Sequence, residues 1–186
     1  MGLNATFDAT LAEAQRGVDK AFAALYRAYN PMVERYLRAR LQLVDEDLAS
    51  DIWIAVARHI KGFVGREADF RAWLFTLTRR KVIDRQRSSA RSRTDAVDPH
   101  EFSDLPARDD PAGVVIEDLQ ASAAVAMLAA RLTSDQADVI LLRVLAGLDA
   151  TEVATLMGHT ENWVRVTQHR ALRRLADCLD PKAVTA

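Results

Sequence analysis

The sequence predicts an all-α chain made of two small helical domains joined by a flexible linker, and three observations predict it. Apolar residues recur at three- and four-residue spacing in both halves, and no stretch alternates as a strand would. Only 7 Gly and 5 Pro punctuate 186 residues, so turns are few. Between the halves, from about 92 to 118, the period is lost, and Asp and Ser collect there with Pro99, Pro106 and Pro111.

The elements follow in order. Phe22, Leu25, Tyr26 and Tyr29 keep a helical period; Asn30-Pro31 interrupts it, and Val33, Tyr36, Leu37 and Leu41 resume it. This predicts two helices, or one broken one, over about 18–42, with Pro31 suited to open a helix. A third helix is expected over about 47–60 on the stripe Leu48, Ile52, Ala55, Val56 and Ile60. Glu46, Asp47 and Asp51 sit near its start, where carboxylates suit the helix dipole. A short loop at 61–67 precedes a fourth helix from about Ala68, with Phe70, Trp73, Leu74 and Leu77 on one face, running at least to about Arg87. After the linker the period returns with Leu119, Val125, Leu128, Ala129 and Leu132. Thr133-Ser134-Asp135 is an N-cap cluster before Ile140, Leu141, Val144 and Leu145, and Gly147 closes that helix.

Charge is uneven although the net value is −1. Residues 79–93 hold seven Arg or Lys against one Asp, and an acidic stretch follows. Such a block points to an anionic partner, because cations crowded in sequence repel one another unless an anion is near. The single cysteine, Cys178, excludes an internal disulfide, and the longest apolar runs are too short to span a bilayer. No phosphate-cradling Gly loop, nucleophile elbow or zinc-spaced Cys/His set is present, so neither an enzyme nor a metal or other cofactor is expected.

The most informative segment is 148–175. Asp149 and Glu152 are spaced as a capping box, Gly158 suits a helix stop, and Thr160 can cap the next helix. Two short helices around a Gly-containing turn form a helix-turn-helix, whose second helix can lie in the major groove. Val164, Ala171, Leu172 and Leu175 would face inward, and Asn162, Arg165, Val166, His169 and Arg173 outward. Arg165 and Arg170 can reach guanine edges or phosphates, and Asn162 or Gln168 can pair with adenine. His59 and His159 are expected to be structural or solvent-facing.

Three phrases, in this order, carry a family resemblance: Glu46-Asp-Leu-Ala-Ser-Asp-Ile-Trp53, the run from Phe70 to Arg87, and the 148–175 segment. Together they resemble the extracytoplasmic-function (ECF) group of bacterial sigma-70-type RNA polymerase sigma factors, over roughly 12–91 and 119–178. The resemblance implies sigma region 2 at 12–91, a linker at 92–118 and sigma region 4 at 119–180. It implies that Glu46, Asp47, Leu48, Asp51 and Ile54 dock on core RNA polymerase. It also implies that Phe63, Arg66, Arg71, Trp73, Arg79, Arg80 and Arg87 open and read the −10 element. Asn162, Arg165, Val166, His169, Arg170 and Arg173 would read the −35 element. The implied chain is cytoplasmic, monomeric when free, not inserted in a membrane, and partnered by core polymerase, promoter DNA and an anti-sigma factor. Arg80, where the family often has Asn, and Val166-Thr167, in place of more polar residues, depart from the pattern. The competing reading is a dimeric helix-turn-helix regulator with an N-terminal sensing module.

Overall fold

Phe7, Leu11 and Ala14 fall four and three residues apart, and all three are buried along one side of the first helix, α1 (Phe7–Gln15). The computed structural model describes residues 6–42, 45–95 and 125–179. α2 spans Asp19–Leu41, α3 Glu46–His59 and α4 Glu67–Asp95, with a 3-10 turn at Ile60–Gly62 between α3 and α4. A helical stretch at 125–129 precedes α5 (Ser134–Val144), α6 (Ala150–Met157) and α7 (Glu161–Leu179). Among the described residues there is no strand. Most of the expected linker lies outside the described residues, although its first residues continue α4 to Asp95.

α2 is one continuous helix, with Pro31 inside it. An interior proline removes a hydrogen bond and costs about 3 kcal/mol. Leu25, Val33 and Leu37 on the same helix are essentially fully buried, and at about 1.5–3 kcal/mol each they outweigh that cost. Asn30, beside the proline, is held from both sides. Its amide oxygen accepts from Trp53 Nε1 (2.8 Å), and its Nδ2 donates to Glu34 (2.7 Å). Packing across α1, α3 and α4 thus overrides the local break that Asn30-Pro31 signals in the sequence.

The core of the first half is aromatic. Phe70 lies against Phe7 (5.5 Å between ring centroids), Tyr29 (5.2 Å), Phe63 (5.6 Å) and Trp73 (5.7 Å). α1 therefore does more than extend the chain, since it closes the side of the bundle from which the 61–67 loop emerges.

The second half follows its caps. Thr133 and Gln136 form a reciprocal box at the start of α5, and Asp149 and Glu152 another at α6. In the latter, Asp149 Oδ1 accepts from the Glu152 N–H (2.8 Å), and the Glu152 carboxylate accepts from the Asp149 N–H (2.6 Å). Gly158 ends α6 in the left-handed region (φ 72°), and Thr160 Oγ1 accepts from the Trp163 N–H at the start of α7. Asp149→Ala should lower the stability of the full chain by about 0.5–2 kcal/mol in urea unfolding. A loss below the resolution of that measurement would mean that packing alone sets the start of α6. The predicted inward face of α7 holds for Val164 and Ala171. Leu172, however, is 50% exposed, because it sits one residue, about 100° around the helix, off the line of Ala171.

Candidate nucleic-acid interface

The 61–67 loop is built rather than loose. Gln15 Nε2, at the end of α1, donates to the carbonyls of Ile60 (3.0 Å) and Phe63 (2.7 Å). Gly65 has φ 156°, and a Cβ there would come within 2.7 Å of Asp69 Cβ. Asp69 accepts from the Arg66 N–H (2.8 Å), which ties the loop to the first turn of α4. So clamped, the loop presents Val64, 93% exposed, and Arg66 to solvent. Phe63 and Trp73 lie behind them, half-buried, with ring centroids 5.2 Å apart. An apolar tip, an aromatic pair and a cation together can hold an unstacked base and its phosphate.

Along α4 the basic block resolves into two groups. Arg80, Arg87 and Arg91 are exposed. Lys81 instead meets Asp51 of α3 (3.1 Å), Arg85 meets Asp45 (2.9 Å), and Arg79 meets Asp138 of α5 (2.8 Å). The crowding of cations that points to an external anion is therefore relieved in part by three internal carboxylates, brought in from elements distant in sequence. Arg71 is half-buried at the turn around Gly147, with Nη1 3.4 Å from where a Cβ on that glycine would stand. Of the residues expected at the −10 element, Arg66, Arg80 and Arg87 are open to solvent, while Arg71 and Arg79 face the other half of the chain.

On α3, Glu46, Asp47 and Asp51 are exposed, and Ile54 is 48% exposed beside them. Leu48 is placed by the sequence both on the apolar stripe and among the expected docking residues. It is 8% exposed and turned into the core, where the 3.6-residue period puts it with Ile52. Leu48 lies beneath the exposed face of α3 and does not contribute to its surface.

On α7, Asn162, Arg165, Val166, His169, Arg170 and Arg173 are all exposed. Arg165 pairs with Glu161 one turn back, which positions its guanidinium along the helix. Gln168 is not open in the same way: it accepts from Arg143 Nε (3.3 Å), whose Nη1 also donates to the Leu148 carbonyl (2.7 Å). This brace ties α7 to α5 and to the turn that precedes α6. The turn also carries a contact that helical periodicity cannot show, a His159–Trp163 stack with ring centroids 3.7 Å apart and planes 9° apart. The i, i+4 spacing of two flat rings was its only sequence signal.

The two halves meet at Asp138. Its carboxylate is 1% exposed and accepts from Tyr36 Oη (2.8 Å) and Arg79 Nε (2.8 Å), with Arg40 Nε also 2.8 Å away. Burial first, and then the Asp138 carboxylate, push the Tyr36 phenol well above its ordinary range, so the hydroxyl stays a neutral donor. Nothing in the spacing of the sequence pairs residues 36, 40 and 79 with 138.

The comparisons with known proteins agree with this architecture. Residues 25–92 match the family model Sigma-70 region 2, and residues 122–175 match Sigma-70, region 4. These define the class as sigma-70-type. The chain is 34% identical over 172 residues to the ECF RNA polymerase sigma factor BldN of Streptomyces coelicolor, a match covering 91% of this chain and 64% of BldN, so it spans just under two thirds of that relative. It is 33% identical over 179 residues to the ECF RNA polymerase sigma factor SigD of Mycobacterium tuberculosis, covering 91% of this chain and 82% of SigD. The solved structure of CnrH shares the fold, with a TM-score of 0.65 at 23% identity over 92% of this chain and 96% of CnrH. The chain belongs to the ECF group of the sigma-70 family of RNA polymerase sigma factors.

Proposed function

We propose that this sigma factor docks on core RNA polymerase through the exposed face of α3 and engages one promoter at two places. Residues 12–91 act as the polymerase-docking and −10 unit, and 119–180 as the −35 unit. The observation that carries this reading is the clamped 61–67 loop, with its exposed tip and aromatic backing, on the same chain as a helix-turn-helix whose second helix exposes Asn162, Arg165, His169, Arg170 and Arg173 around Val166. The loop and the exposed arginines of α4 hold the opened −10 strand. Asn162, Arg165, Val166, His169, Arg170 and Arg173 face the −35 groove.

The chain acts without chemistry of its own, in the cytoplasm and as a monomer when free. None of the described helices is long and apolar enough to cross a membrane. The dimeric-regulator alternative loses its footing with the family assignment, since region 2 occupies the place of a sensing module. CnrH was solved in complex with the cytosolic domain of CnrY; a protein partner of this chain's own, acting as an anti-sigma factor, fits the same reading.

Reconstituted transcription tests the reading. Core enzyme plus this chain should start transcripts at a recurrent two-part motif on fragmented genomic template, while core alone should not. Failure to initiate on any template, with active core, would reject it.

A further inference from the structure

The two halves are held together by a carboxylate whose three polar partners all come from the other half. Asp138 sits on α5; Tyr36 and Arg40 sit on α2, and Arg79 on α4. Arg40 also donates to Ser134 Oγ (2.7 Å), at the exposed N-terminus of α5. Arg71, from the same side of α4, is packed against the turn at Gly147. Two cations of the proposed −10 surface are thus engaged by the −35 half.

We propose that Asp138 is a latch that closes the helix-turn-helix half onto the −10 half, withholds Arg79 from DNA, and is released when the chain takes up the promoter. The inference rests on the −10 reading given above. A carboxylate held between guanidinium groups occupies the site that a backbone phosphate would take, with the same donors and the same sign of charge. The closed arrangement is a latch and not a permanent interface because of its energetics. Desolvating the ions offsets most of their attraction, so a buried ion cluster adds little net stability. Each half can recover solvation on opening. Removing the carboxylate alone is another matter, since it leaves Arg40 and Arg79 converging without their shared anion.

The test uses the full chain in two variants. Asp138→Asn keeps the shape and removes the charge. Ser134→Arg sets a cation opposite Arg40 from an exposed position, where folding is not at risk. Circular dichroism confirms helix content, small-angle scattering gives the radius of gyration, and anisotropy with a fluorescein-labelled, mixed-sequence single-stranded oligonucleotide gives affinity. Both variants should expand relative to the wild type. Both should bind the oligonucleotide more tightly by roughly threefold to tenfold, a gain limited by the inverse of the wild-type open fraction. Adding Arg79→Ala to Asp138→Asn should remove the gain in binding but not the expansion. A wild-type radius in both variants would overturn the latch while leaving the −10 reading intact. Expansion without any DNA binding, in wild type or variants, would overturn the −10 reading and with it the withholding of Arg79.

Discussion

Replacing Phe70 by alanine should cost the full chain about 3–5 kcal/mol, the usual range for emptying a buried aromatic site. Phe70 is fully buried and touches Phe7, Tyr29, Phe63 and Trp73, so its ring joins α1, α2, the 61–67 loop and α4. The neighbours cannot close the gap easily. Phe63 is tethered through its carbonyl to Gln15, and Tyr29 lies mid-helix in α2. In a chain of this size each kcal/mol lowers the melting temperature by about 2–4 °C, so a fall of roughly 6–20 °C is expected by calorimetry. Val64→Ala is the control. Val64 is 93% exposed and should leave the melting temperature unchanged. A Phe70→Ala loss under about 1 kcal/mol would show that the aromatic cluster repacks and that the loop is not seated on it.

That cluster also shows where the sequence speaks and where it falls silent. The helices are legible because amphipathic periodicity records a one-dimensional fact, which residues of a segment face inward. Ile52, Val56, Phe70, Leu74, Val153 and Val164 all lie where that period puts them. The caps are legible because Asp149, Glu152, Gly158 and Thr160 act on backbone within four residues. α1 was equally available in Phe7, Leu11 and Ala14, but one short stripe at the head of a chain gives a weak signal. Pro31 misleads because its cost is local while the packing that meets it is not.

The candidate site divides in the same way. Exposure of the α7 face follows from periodicity. The destinations of Lys81, Arg85 and Arg79 do not, because Asp51, Asp45 and Asp138 reach them only through tertiary packing. A basic run in sequence says that anions are needed; it cannot say how many the protein supplies itself.

The face of α3 offers the second large effect. Ile54→Arg should weaken binding of core RNA polymerase by at least about thirtyfold, the loss of a hot-spot contact of about 2 kcal/mol, while the melting temperature stays at the wild-type value. Ile54 is the large apolar side chain exposed on this helix, 48% open and flanked by Asp47, Asp51 and Arg58 on the same surface. In isolation an isoleucine so placed exposes apolar area to water; under a partner the same area becomes favourable, while an arginine there stays solvated when free and must be desolvated when bound. The neighbouring carboxylates should matter less. Asp51 is already engaged with Lys81 across 3.1 Å, and an exposed pair of that kind contributes about 0–1 kcal/mol, so Asp51→Ala should shift binding only a few-fold and mainly at low salt. Ile52→Arg, two residues away and fully buried, should instead unfold the first half, which separates surface from core on a single helix. Native gel shift or surface plasmon resonance with purified core decides the matter. Were Ile54→Arg to bind core as the wild type does, polymerase docking would have to be sought on another face, and the acidic start of α3 would be only a well-capped helix.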